Sequence, residues 1–207
     1  MKITAVKQQA HCPQKYNVFV DGAFAFSLIK EDIIYFKLKE GNEIAQEKYD
    51  FIQNELIYIQ AQDKALHYIG YKMRTEKEVF QKLYQKGFAE NVVQRVMEFL
   101  KKYEYVDDEK YCEGYIKERL LISPRAKYAL KMELRQRGVL ESTICKVLDK
   151  MDIDELGDAV RLLEKKCFSL DDMNEKEKKR LFGFLQRRGY CYDIIKEAFA
   201  YVQKKEE

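Results

Sequence analysis

One six-residue phrase occurs three times in this chain: Leu83-Tyr84-Gln85-Lys86-Gly87-Phe88, Leu134-Arg135-Gln136-Arg137-Gly138-Val139 and Leu185-Gln186-Arg187-Arg188-Gly189-Tyr190. Its glycines stand 51 residues apart at both steps. A fixed period of this length marks a repeated supersecondary unit, each copy burying part of its apolar face against its neighbours. An apolar residue, a basic residue, Gly and another apolar residue also spell the end of a helix. Gly takes the left-handed position past the last turn, and the following side chain folds back. Each copy therefore reads as helix, sharp stop, helix.

With 46% hydrophobic and 35% charged residues, two prolines and nine glycines among 207 residues, the chain can bury a core and favours helices. The expected fold is mainly α: three tandem three-helix repeats behind a small N-terminal β-hairpin and helix region. The boundaries are 1–60 for that region, then 61–106, 107–152 and 153–207 for the repeats. Cys12, Cys112, Cys145, Cys167 and Cys191 are odd in number and scattered. With only His11 and His67 beside them they support neither a disulfide framework nor a zinc site. No signal-peptide core and no bilayer-length apolar run is present, so a cytoplasmic protein without metal or cofactor is expected.

Taken in order, Asp21-Gly22 between two apolar runs predicts a hairpin. Ile3 to Gln8 makes a further strand, joined through a Cys12-Pro13 loop. A helix from Lys30 is expected to use Ile33, Ile34, Phe36 and Leu38. Residues 46–72 form a long amphipathic stretch whose second half opens the first repeat. Thr75 with Glu78, and Asn174 with Glu177, form candidate capping boxes, and Ser123-Pro124 reads as a helix start. Asp107-Asp108-Glu109 places acids at the N-terminus of a helix running to Leu121. Another helix spans Ile153 to Phe168, and the last uses Ile194, Ala198, Phe199 and Val202.

The charge is unevenly spread. Residues 72–87, 123–138 and 174–189 carry net +3, +4 and +4, which leaves −8 for the rest of a chain whose total is +3. Arg74, Arg125 and Lys176 occupy one equivalent position, and Lys86, Arg137 and Arg188 another, about 120° away around the helix. The latter three also suit the negative end of a helix dipole. Lys127, Lys131 and Arg135 in the second copy, with Lys178, Lys179, Arg180 and Arg187 in the third, exceed what capping requires, and Lys77 in the first is a further contact candidate. A periodic basic strip suits a long, periodic, negatively charged partner, either nucleic acid or a protein polymer.

Little else carries chemistry. There is no phosphate-binding glycine loop, no H-E-x-x-H and no nucleophile elbow, so an enzyme is not expected. His67 reads as a packing or surface residue, and Asp107-Asp108 as a cap rather than a metal site. Tyr103, Tyr105, Tyr111 and Tyr128 are candidates for stacking on bases, against the plainer reading of packing between helices.

Ala65-Leu66-His67-Tyr68-Ile69-Gly70-Tyr71-Lys72-Met73-Arg74-Thr75-Glu76-Lys77-Glu78-Val79, running into Leu83 and Lys86-Gly87-Phe88, closely resembles the first repeat of the RecX family. Tyr105-Val106-Asp107-Asp108-Glu109-Lys110-Tyr111 with Glu133 to Val139 resembles the second repeat, and Leu185 to Tyr190 the third. The likeness covers about residues 62–205; Thr75 stands where the family usually carries Ser and keeps the capping function. The resemblance implies an elongated, curved rod of helices that binds the RecA recombinase filament as a monomer. It implies limits on filament growth, ATPase, strand exchange and the co-protease function of the SOS response, within DNA repair. A helical module binding single- or double-stranded DNA directly, or a structural adaptor, are the alternatives; no membrane partner is expected.

Overall fold

The computed structural model describes residues 1–10, 12–166 and 174–206. They form two compact units, Met1–Met73 with Val79–Val106, and Arg74–Glu78 with Asp107–Glu207.

The first unit opens with an antiparallel sheet of β1 (Ile3–Gln9), β2 (Cys12–Val20) and β3 (Ala23–Ile29), in that order. Asp21 and Gly22, with φ of 49° and 86°, close the hairpin as the Asp-Gly pair predicts. Cys12-Pro13 is the beginning of β2 rather than a loop. Alternation buries Val18 and Val20 on β2 and Phe26 and Leu28 on β3. α1 (Lys30–Tyr35) leaves Ile34 65% exposed, while Phe36 and Leu38, just beyond its end, are buried.

A continuous helical rod follows: α2 (Gln46–Phe51), a π-helical segment over Ile52–Ile57, and α3 (Tyr58–Gly70). The π segment has no counterpart in the sequence reading. α4 (Glu76–Gln85) and α5 (Glu90–Lys102) come next. Ile52, Ala61, Ala65, Val79, Leu83, Val92, Val93 and Val96 share one core with the sheet, so residues 1–60 and 61–106 are packed around common apolar contacts.

The second unit contains α6 (Asp108–Ile122), α7 (Lys127–Gln136), α8 (Glu141–Lys150), α9 (Glu155–Glu164), α10 (Glu175–Gln186) and α11 (Tyr192–Glu206). One core gathers Cys112, Ile116, Leu130, Leu134, Ile144 and Val147, and a second gathers Ala159, Leu163, Leu181, Leu185, Ile195 and Ala198. Ile195, not Ile194, is the fully buried member of α11. Asp107 caps α6, its Oδ1 accepting from the Glu109 and Lys110 amides at 2.9 and 3.0 Å. Both capping boxes form, at Thr75 with Glu78 and at Asn174 with Glu177. α9 begins at Glu155, and the expected end of that helix at Phe168 lies outside the described residues. Ser123-Pro124 does not start α7; Ser123 ends α6, and α7 begins three residues after Pro124, behind Ala126.

The repeated phrase makes the same helix stop in all three copies. Gly87, Gly138 and Gly189 have φ of 83°, 88° and 89°. The following amide reaches back to the leucine carbonyl in each, Phe88 to Leu83, Val139 to Leu134 and Tyr190 to Leu185, at 3.4, 3.2 and 3.3 Å. This double reversal satisfies the last carbonyls of the helix and needs a residue free to adopt positive φ.

Candidate partner-binding faces

Within the second unit the glycine turns do more than end helices. Thr75 is wholly buried, and its hydroxyl donates to the carbonyl of Arg137 at 2.8 Å. Fifty-one residues later the Ala126 amide donates to the carbonyl of Arg188 at 3.0 Å. The same pair of positions is thus joined twice, by a hydroxyl in one place and an amide in the other. Close approach follows: a Cβ on Gly138 would lie 2.6 Å from Lys77 Cβ, and one on Gly189 would lie 2.6 Å from Ala129 Cβ. Ala126 is extended, at φ −65° and ψ 155°, and its carbonyl accepts the first helical bond from the Leu130 amide at 3.1 Å, so α7 starts behind it.

The arginines of the phrase serve this junction. Arg137 Nη1 meets Glu78 Oε1 at 3.2 Å, and its guanidinium lies 5.0 Å from the Tyr115 ring centre. Arg188 Nη1 donates to Ser123 Oγ at 2.8 Å and stacks 4.4 Å from Phe184. Burial, and next the charge of Arg125, hold the Arg188 guanidinium below the usual arginine range. Arg125 Nη1 is paired with Glu133 at 2.8 Å, and Glu133 also takes Arg119 at 3.3 Å and the Tyr115 hydroxyl. Sequence reasoning missed Glu133 because nothing local marks it as an acceptor for cations on other elements. Arg125, Arg137 and Arg188 are all half-buried, as is Arg74.

Other cations lie elsewhere, Lys127 and Arg135 exposed and Lys131 half-buried. At about 100° per residue, Lys127, Tyr128, Lys131, Met132 and Arg135 fall within an arc of about 140° on α7, flanking the buried Leu130 and Leu134 on one side. Tyr128 is 67% exposed. Glu141 at the start of α8 pairs with Lys131 at 2.7 Å and Arg135 at 3.6 Å. The hydrogen bond from Lys131 draws the Glu141 carboxyl below the usual range and raises the Lys131 ammonium above its own. One carboxylate against three cations leaves this face positive.

α10 presents a second such face, with Lys176, Lys179, Arg180 and Arg187 within about 100°. Lys178 does not join it; it lies about 160° from Arg180 and borders a hollow with Phe182, Tyr192 and Phe199. α4 carries only Lys77 on the corresponding side, beside Gln81, Tyr84 and Gln85, while Lys86 lines a cleft in the first unit. Of the tyrosines, Tyr111 is core, Tyr103 clusters with Tyr105 and Phe99 and has Lys102 5.6 Å from its ring centre, and Tyr128 stands exposed on the basic side of α7. Among the described residues no group of His, Cys, Asp and Glu could hold a metal, and no helix is long and apolar enough to cross a membrane.

Comparison with known proteins bears on these faces. Four family models match successive stretches: "Regulatory protein RecX N-terminal domain" over residues 1–45, and the first, second and third RecX three-helix domains over 61–100, 107–148 and 153–199. A "Regulatory protein RecX" of Clostridium perfringens (strain 13 / Type A) is 35% identical over 93% of this chain and 92% of its own. One of Clostridioides difficile (strain 630) is 31% identical over 94% and 92%. A crystal structure of a regulatory protein RecX shares the fold at a TM-score of 0.63, with 24% identity over 95% of this chain and 98% of that one. A second, of RecX from Lactobacillus salivarius, gives 0.64 at 21% identity over 72% and 97%. With three-helix units at the repeat period and relatives matched over more than nine-tenths of both chains, the chain belongs to the RecX family of regulatory proteins.

Proposed function

We propose that the protein binds the RecA nucleoprotein filament and limits its extension, restraining ATP hydrolysis, strand exchange and co-protease activity. The observation that carries this reading is the division of labour among the cations. Arg125, Arg137 and Arg188 brace the repeats, while the outer faces of α7 and α10 offer Lys127, Lys131, Arg135, Lys176, Lys179, Arg180 and Arg187 to a partner. Cations presented on two successive helices of the series complement an anionic surface and accelerate encounter with it.

The test is ATP hydrolysis by RecA on single-stranded DNA, titrated with this protein from far below to equal the recombinase concentration. Inhibition well below one molecule per recombinase subunit is expected. Lys127→Glu, Lys131→Glu and Arg135→Glu together should raise the half-inhibitory concentration at least about tenfold, as for loss of a steering patch, with helix content retained. Inhibition unchanged by the triple variant sinks the assignment to α7.

A second reading, direct binding of DNA, draws on Tyr128 and Met132 lying among the α7 cations, where a base could stack. It predicts tight binding to naked strands with a steep salt dependence, and inhibition only when the protein is abundant enough to cover the DNA.

A further inference from the structure

The first unit holds a cleft of 540 Å³ away from the faces of α7 and α10. Its floor is one stripe of the α2–α3 rod: Gln53, Ile57, Gln60, Lys64, His67 and Tyr71, spaced four and three residues in turn. Such spacing normally marks the apolar seam by which a helix packs. Here it is polar from Gln60 onward. Part of the stripe lies on the π-helical segment, a conformation that is costly to keep and gathers at functional sites.

The cleft's charge is one-sided. Lys15 from β2, Lys64 from α3, Lys82 from α4 and Lys86 just beyond α4 border it, and no aspartate or glutamate does. Lys82 rests 5.4 Å from the Tyr68 ring centre, and the four lysines have no carboxylate partner among the described residues. At Ala89 the wall runs into the N-terminus of α5, whose dipole adds to the positive potential. Like charges gathered from four segments repel one another unless an anion is to be held between them.

An aromatic side completes the site. Tyr71 is 74% exposed at the rim, its hydroxyl 3.1 Å from His67 Nε2 and its ring at 85° to the imidazole. Phe26 and Leu83 give an apolar back wall. Several ammonium groups, an exposed ring and a carboxamide in a cleft of this volume match a ligand with a phosphate chain at one end and a flat heterocycle at the other. We infer that the cleft binds a free nucleoside polyphosphate.

Isothermal titration of the full chain with ATP, without any recombinase or DNA, tests this. One ATP per chain should bind, and adenosine and inorganic tripolyphosphate should each bind at least about tenfold more weakly, since each lacks one half of the contacts. Lys15→Ala with Lys64→Ala should weaken ATP by at least about tenfold, the loss expected for charge-assisted hydrogen bonds. Lys127→Ala with Arg135→Ala should leave it unchanged. Four results overturn the inference: no saturable ATP binding; tripolyphosphate as tight as ATP; binding that survives the cleft variant and falls with the α7 variant; or a single-stranded oligonucleotide displacing ATP more effectively, per nucleotide, than ATP itself. Because no filament enters the assay, its failure leaves the recombinase reading untouched.

Discussion

Replacing Gly189 with alanine separates the two demands placed on the repeated glycine. The first is conformational: at φ of 89° an L-residue is strained by about 1–2 kcal/mol. The second is steric. The new Cβ would stand 2.6 Å from Ala129 Cβ and 2.9 Å from the Ala129 amide nitrogen, against about 3.5–4.0 Å for comfortable contact. Backbone cannot swing aside as a side-chain end can, so overpacking of about 1–3 kcal/mol is added. A total near 3 kcal/mol is a large share of the stability of an ordinary domain, about 5–15 kcal/mol. The assay is urea unfolding followed by far-ultraviolet circular dichroism, in a double-mutant cycle with Ala129→Gly. Removing the Ala129 methyl relieves the Cβ contact and leaves the strain and the amide contact, so a favourable coupling of about 1 kcal/mol is expected. Additivity of the two substitutions within about 0.3 kcal/mol would refute the close approach, leaving only the backbone requirement.

Two further outcomes are expected. Cys112 is fully buried and burial pushes its thiol up to about 12, so it should resist a thiol reagent at neutral pH until urea opens the fold, whereas exposed Cys191 reacts in the native state; peptide mapping distinguishes them, and native labelling of Cys112 contradicts its placement. The Glu109 carboxyl, bonded by Lys146 and Lys150, is drawn below its ordinary value of 4.5. Its contribution to stability is therefore present above the unfolded value and lost as pH falls through the folded one. Carboxyl-resolved NMR should find its midpoint below 4.5 and moving upward in Lys146→Ala, and an unmoved midpoint would be contrary.

What the sequence disclosed was what local chemistry decides. Positive φ after a helix demands glycine, so three helix stops were legible at Gly87, Gly138 and Gly189, as were the Asp21-Gly22 hairpin and the capping boxes at Thr75 and Asn174. The division among the cations was not, because it is made over distance. Arg137 finds Glu78 across 59 residues, and Arg188 finds Ser123 across 65. Both look like the outward cations of α7 when read from their own neighbours. Ser123-Pro124 failed as a helix start because Ser123 ends α6 and Ala126, at φ −65° and ψ 155°, takes the cap position instead. The π segment escaped notice because apolar residues at three and four spacing read alike in an α-helix and in one carrying an extra residue per turn.

The joint made by Thr75 with Arg137, and remade by Ala126 with Arg188, has a direction: a helix start donates, and a carbonyl of the glycine turn 62 residues downstream accepts. Gly87, the earliest of the three turns, has open space where a Cβ would stand. Asn174 forms a capping box with Glu177, as Thr75 does with Glu78. A gene that duplicated one 51-residue piece would therefore supply both halves of a further joint at once, while a piece cut at any other phase would supply neither. Growth and loss by whole pieces are the inexpensive evolutionary moves for such a chain, and length can vary among descendants without the joint being reinvented.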